Sequence, residues 1–316
     1  MRKFIKKLLC FSLNIPLIIV CLMIIQKNIE NSDPDNYDFA MVDKFQRLQD
    51  TFNEDKRIIF VGGSNLAFSL DSEMIEKEFN IPVINTGLHA GVGIFHEIDD
   101  ILPYVHKNDI IVLCPEYWQI SKSGNGTNSA WELEIIINRK KITDLQKKGF
   151  YDYPTDFAFF MKSLLKSGLT SSHFDDDCYR RSAFNKYGDV TVHIKNDKIL
   201  NDEMFILYMN NPFELKYYKY FENAVNELKE KNTVVIYNYP ICHEATFNTN
   251  IENIVETDNY LRQHLNVIFA GTKEEYVCKR DMLFDTPYHA NKRGREWRTK
   301  LVIKHLHECY FDKQEN

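Results

Sequence analysis

The chain has 316 residues, 44% of them hydrophobic and 27% charged, with a formal net charge of -6. That balance builds a sizeable core and fits one α/β domain with insertions. Without a basic stripe interleaved with aromatics, it argues against DNA or RNA as partners. In chain order, Met1 to Lys7 is basic and Leu8 to Ile25 is almost purely apolar, interrupted only by Ser12 and Asn14, which is long enough to cross a bilayer. Arg2, Lys3, Lys6 and Lys7 precede this span, and Glu30, Asp33 and Asp35 follow it. The positive-inside rule therefore puts the N-terminus in the cytoplasm and the body outside. No small-residue cleavage pattern follows Ile25, so an uncleaved anchor in the lipid bilayer through residues 8–26 is expected, making a single-pass cytoplasmic (inner) membrane protein.

The predicted organisation is a cytoplasmic tip and anchor over 1–30, a polar linker with a short lead-in helix over 31–56, and one α/β domain over 57–310. Arg57 to Val61 has the β-branched and aromatic content of a buried parallel strand, and a helix pattern (Met74, Ile75, Phe79) starts at Asp71. Ile81 to Asn85 reads as a short strand, Thr86 to Gly93 as a glycine-rich loop, Ile94 to Val105 as a helix and Asp109 to Cys114 as a strand. An insertion follows at about 125–210, with helical patterns over Ala130 to Lys148 and Asp156 to Lys166 and a polar, Asp-rich loop from Ser167 to Asn201. Alternation resumes with a helix over Pro212 to Lys231, a strand over Thr233 to Tyr239, a helix over Asn250 to Leu265, a strand over Asn266 to Ala270 and a last helix over Arg295 to His307. Strands alternating with helices imply a doubly wound parallel sheet.

Chemistry concentrates at two places. The apolar run into Val61 ends in Gly62, Gly63 and Ser64, a turn that lifts a serine hydroxyl above the carboxyl edge of a sheet. Asp285 and His289 lie in a proline-containing loop after the last strand, which opens on the same edge if the strands are parallel. A serine nucleophile needs a base within hydrogen-bond reach, and the base needs a carboxylate to fix its tautomer. Ser64, His289 and Asp285 supply those roles. Of the seven cysteines, five lie in the body without CxxC or zinc-type spacing, so a zinc site is not expected and a Cys242–Cys278 disulfide has no support from spacing, while chemistry by Ser64, His289 and Asp285 requires no metal and no organic cofactor. His89 suits a substrate contact or a structural bond equally. Tyr117 and Trp118 suit packing or a sugar platform, and the run Asp175 to Asp177 suits a solvated loop. The default for Arg293, Arg295 and Arg298 is a helix surface.

The combination of Val61-Gly-Gly-Ser-Asn65, Asn85-Thr-Gly-Leu-His-Ala-Gly91, Leu113-Cys-Pro-Glu-Tyr117 and Asp285 to His289 resembles the SGNH (GDSL-like) hydrolase superfamily. The resemblance implies a flavodoxin-like SGNH three-layer sandwich, and ester chemistry by Ser64, His289 and Asp285. With the anchor it is similar to membrane-tethered, DltD-like proteins that act on cell-surface acyl groups. A cell-surface carbohydrate or acylated polysaccharide is the implied partner. The competing class is a non-catalytic domain that binds a polysaccharide or a membrane-bound acyltransferase. A nucleotide-binding domain is a weaker third, lacking GxGxxG and a phosphate-loop lysine. Three departures stand out: Gly63 replaces an Asp, the Asp-to-His spacing is one residue longer, and Glu116 stands where the family has an oxyanion-hole Asn. Either Glu116 is protonated, or the Tyr117 hydroxyl or Asn65 amide takes that role, or activity is weak. The backbone donor is Gly91 or Gly87.

Overall fold

The computed structural model describes residues 35–121, 124, 126, 177–195, 206–209 and 214–314, with 12, 14, 16–18, 20, 21 and 24 in the N-terminal stretch. The two helices expected between Ala130 and Lys166, most of the insertion and much of the apolar span lie outside the described residues. The described positions of the span are helical and exposed, Leu17, Ile18, Val20 and Ile24 among them. Among the described residues no helix is long and apolar enough to cross a membrane.

The strands in chain order are β1 (Ile58–Val61), β2 (Val83–Asn85), β3 (Ile110–Leu113), β4 (Val234–Asn238), β5 (Cys242–His243), β6 (Ile268–Ala270) and β7 (Val277–Cys278). The α-helices in the body are α1 (Ala40–Asp50), α2 (Ser64–Ser69), α3 (Ser72–Phe79), α4 (Ile94–Ile101), α5 (Leu215–Glu230), α6 (Glu244–Thr249), α7 (Ile251–His264) and α8 (Lys292–Cys309). β1 and β3 are apolar and buried at every position, as central strands covered on both faces must be. One five-stranded parallel sheet runs in the order β2-β1-β3-β4-β6, and β5 pairs separately with β7.

This order decides where the helices go. The chain steps from β1 out to β2, then back past β1 to β3 and onward to β4 and β6. Right-handed crossovers put the helices of the first step on one face of the sheet and those of the later steps on the other. Accordingly α8 packs on α2 and α3, and α4 packs on α5. α5 joins α7 through a 2.6 Å hydrogen bond between Tyr218 Oη and Thr257 Oγ1. The result is an α/β fold of three layers, and the strand order reverses between β1 and β3, where a crevice opens at their carboxyl ends.

α1 covers the exposed edge of β2. Arg47 Nε donates to the Val83 carbonyl (2.9 Å) and Lys44 Nζ to that of Asn85 (3.0 Å), while Asn85 N–H donates to Tyr187 O (2.9 Å). An edge satisfied in this way does not recruit a foreign strand. Beneath the opposite end of the sheet, Arg57 Nη2 meets Asp109 Oδ2 at 2.6 Å, with both side chains 0% exposed. The stretch expected as a polar loop proves to carry a buried carboxylate in its described part. Asp189 is 0% exposed and accepts from Ser72 N, Ser72 Oγ and Asn85 Nδ2 at 2.6 to 2.9 Å. Cys242 and Cys278 sit on paired strands as free thiols.

Candidate active site

Gly62 and Gly63 are forced by crowding where β1 ends. A Cβ on Gly62 would lie 2.3 Å from Cys114 O, and one on Gly63 would lie 2.8 Å from Ala90 Cα. The turn is thus wedged between the loops after β3 and β2. Ser64 then opens α2 with Gly63 as its N-cap. From Arg57 to Leu70, Ser64 is the only residue that is not buried. The fold raises this one side chain toward solvent at the reversal point of the sheet.

The loop bearing His289 is closed by an isolated bridge between Leu283 and Ala290 and by Phe284 N donating to His289 O at 2.8 Å. Thr286 Oγ1 accepts from His289 N at 3.1 Å, which curls Asp285 back over the ring. The two side chains meet there: His289 Nδ1 and Asp285 Oδ1 are 2.6 Å apart, and the Tyr179 hydroxyl donates to Asp285 Oδ2, also at 2.6 Å. An ionised carboxylate only accepts, so Nδ1 carries a proton, and in the neutral ring the lone pair is on Nε2. The ring stacks on Phe68 with centroids 4.1 Å apart and planes 5° from parallel. Ser64 and Phe68 are four residues apart on one helix and share a face. Ser69 Oγ stitches the same helix to the histidine loop, donating to Tyr288 O and accepting from Ala290 N, both at 3.0 Å. His289 is therefore held over the face of α2 that starts with Ser64.

Glu116 follows β3 and reaches the same point from the other side of the crevice. The Ser64 hydroxyl and the Asn65 N–H both donate to its Oε1 at 3.4 Å, and Trp118 Nε1 donates to its Oε2 at 2.8 Å. It is 4% exposed. Burial pushes its carboxyl above the usual range, against the pull of His289, Trp118, Asn65 and Ser64.

No protein-family model matches this chain, and no curated protein matches it.

The geometry bears on four expectations about the site's side chains. The Asn65 amide turns into the core, its Nδ2 donating to Cys114 O (3.2 Å) and its Oδ1 accepting from Arg298 Nη2 (3.0 Å). Tyr117 is buried, with its ring 6.1 Å from that of Phe247 and burial pushing its phenol well up. Gly87 N–H is spent on Asn85 Oδ1 at 3.0 Å, whereas Gly91 follows the Ala90 that abuts Gly63. The helix-surface default holds for Arg293, which is exposed and pairs with Asp281, but not for the other two arginines. Arg295 is 8% and Arg298 0% exposed, donating to the carbonyls of Leu70 and Asn65. His89 stands at the rim, 3.6 Å from Asp38. Asp177 is the described member of its acidic run and is exposed beside Arg180.

Tyr179, Phe68 and the Trp118 indole N–H are the site groups that residue pattern did not reveal. Phe68 looks like any core aromatic, and Tyr179 sits in a stretch without periodicity. Among the described residues no cluster of His, Cys, Asp or Glu is arranged to hold a metal ion.

Proposed function

We propose that the chain is an SGNH-type serine acyl-transfer enzyme, an esterase or O-acyltransferase acting on acyl esters of a cell-surface carbohydrate. The observation that carries this reading is the 2.6 Å His289–Asp285 hydrogen bond on a ring stacked against the helix that begins at Ser64. Ser64 Oγ attacks the acyl carbon and its proton passes to His289 Nε2. Asp285 stabilises the imidazolium, which then protonates the departing alcohol. Water or a sugar hydroxyl repeats these steps on the acyl-enzyme, giving hydrolysis or transfer. The Ser64 and Gly91 N–H groups are the proposed backbone donors to the oxyanion. The strand order and the two helical layers support a flavodoxin-like SGNH sandwich. Exposed apolar residues at helical positions 17, 18, 20 and 24 support an anchor through residues 8–26, with the domain outside the cytoplasm.

One observation favours a second reading, a non-catalytic domain that binds a polysaccharide or a membrane-bound acyltransferase: the hydrogen bond of Ser64 goes to Glu116. Labelling a chain that starts at residue 31 with a fluorophosphonate, and assaying short-chain aryl esters, separates the two. Acyl transfer predicts labelling and turnover that Ser64→Ala and His289→Ala both abolish. A folded wild type that neither labels nor turns over selects the binding domain.

A further inference from the structure

An ionised carboxylate next to a developing oxyanion opposes the reaction, so Glu116 is a liability for acyl transfer unless it is neutral. Of the two other side chains able to serve as donors, Asn65 is bonded to Cys114 and Arg298, and the Tyr117 hydroxyl is buried without a partner in the core beside Cys242, Tyr237 and Tyr239. The bonds at Glu116 distinguish its two oxygens. Oε2 accepts a short 2.8 Å bond from an indole N–H that has no other role to play, which suits a carbonyl oxygen. Oε1 has only long contacts, 3.4 Å to Ser64 Oγ and 3.4 Å to Asn65 N, and it faces the nucleophile. It is the oxygen with room for a proton.

The surroundings favour the neutral form as well. Among the described residues no lysine or arginine bridges Glu116. Behind it lies a second carboxyl, Glu97, 4% exposed, with Oε2 buried and unpartnered. Gln119 connects them, its Oε1 accepting from Glu116 N at 2.8 Å and its Nε2 lying 3.5 Å from Glu97 Oε1. Each buried carboxyl disfavours ionisation of the other, and burial pushes both upward, Glu97 the more strongly. The other titratable groups around Glu116 are His289 on the last loop, Cys114 after β3, Cys242 on β5 and Tyr288. Of these only His289 opposes protonation.

We propose that Glu116 works as a neutral carboxylic acid whose Oε1–H is the third donor to the oxyanion of the reaction proposed above, on which this inference rests. When Ser64 Oγ bonds to the acyl carbon, the carbonyl π pair moves onto its oxygen, and the Ser64 proton goes to His289. The Glu116 proton stays on Glu116 and is shared as a hydrogen bond. Collapse re-forms the C=O bond and expels the alcohol with the proton from His289. An oxygen on that carbon falls within reach of a donor 3.4 Å from Oγ.

The test is the pH profile of aryl-ester turnover for wild type, Glu116→Gln and Glu116→Ala, with a ¹³C NMR titration of the Glu116 carboxyl assigned by difference from Glu116→Gln. The proposal predicts a neutral carboxyl at pH 7 and a wild-type rate that falls on the alkaline side as Glu116 ionises. Glu116→Gln, a donor at every pH, loses that fall, and Glu116→Ala loses about 10²- to 10³-fold in kcat. A raised folded-state pKa favours folding below the unfolded value and is lost as pH climbs past it, so Glu116→Gln also gains stability relative to wild type as pH rises from about 4.5. An ionised Glu116 at pH 7, or a Glu116→Gln profile identical to wild type in a turnover that Ser64→Ala abolishes, overturns the donor role and leaves acyl transfer standing. Absence of turnover in all forms overturns both.

Discussion

Asp285 divides its two oxygens between His289 and Tyr179, each at 2.6 Å, so the carboxylate that orients the base is itself oriented by a residue more than a hundred positions earlier. Tyr179→Phe removes one charge-assisted bond, typically about 1.5–3 kcal/mol, and leaves Asp285 free to rotate away from the ring. We expect kcat on an aryl ester to fall roughly 10- to 100-fold with KM unchanged, and Asp285→Asn to cost about 10³- to 10⁴-fold by reversing the tautomer of His289. Steady-state kinetics on both variants checks this, and equal losses in kcat and thermal stability would reduce Tyr179 to a packing residue. Ser64, Asp285 and His289 were legible in the sequence because a glycine turn and a proline loop mark the ends of strands. Tyr179 was not, since long-range contacts alone bring it to the site.

At the scale of elements, β1 and β3 were legible as unbroken apolar runs, whereas α2 and α6 were not. Each has six residues, too few to show a helical period, and α2 directly precedes α3. α8 misled for a physical reason: Arg295 and Arg298 read as part of a solvated face, but α8 packs on α2, and the carbonyls of Leu70 at the C-cap of that helix and of Asn65 in its first turn take up their guanidinium groups. α1 carries another hidden charge. Lys44 is 3% exposed and bonded to two carbonyls, Asn85 O at 3.0 Å and Gly188 O at 2.6 Å, and burial pushes its ammonium from 10.5 to about 7, with Asp189 and Asp43 opposing. The unfolded chain keeps this proton up to about 10.5 while the folded one releases it near 7, so stability rises with pH between those values, by at most about 1.4 kcal/mol per unit. Lys44→Met removes that slope. Denaturant titrations of both proteins should show the wild type gaining on the variant from pH 7 to 10, and a constant gap would mean that Nζ is not buried.

On the scale of the whole molecule, the site is assembled from the ends of separate elements: the turn after β1, the loop after β2 through Ala90, Glu116 after β3, Tyr179 from the middle of the chain and His289 after β7. The clamp on this assembly is the segment just before α1. Asp35 accepts from Arg181 N (2.9 Å) and Ser182 N (2.7 Å), and Tyr37 donates to Leu88 O (2.7 Å). The Tyr37 ring, 6% exposed, lies 5.7 Å from that of Tyr179. Two truncations therefore separate anchoring from assembly. If residues 8–26 form the proposed anchor, a chain starting at residue 31 should leave the membrane fraction, and it should keep full labelling by a fluorophosphonate. A chain starting at residue 40 also loses the buried Tyr37, worth roughly 3 kcal/mol, which lowers Tm by about 6–12 °C. Because Tyr37 backs Tyr179 and Tyr179 holds Asp285, labelling should drop with it even at temperatures where both chains are folded. Equal labelling of the two folded chains would show that the Tyr179–Asp285 contact stands without the segment that precedes α1.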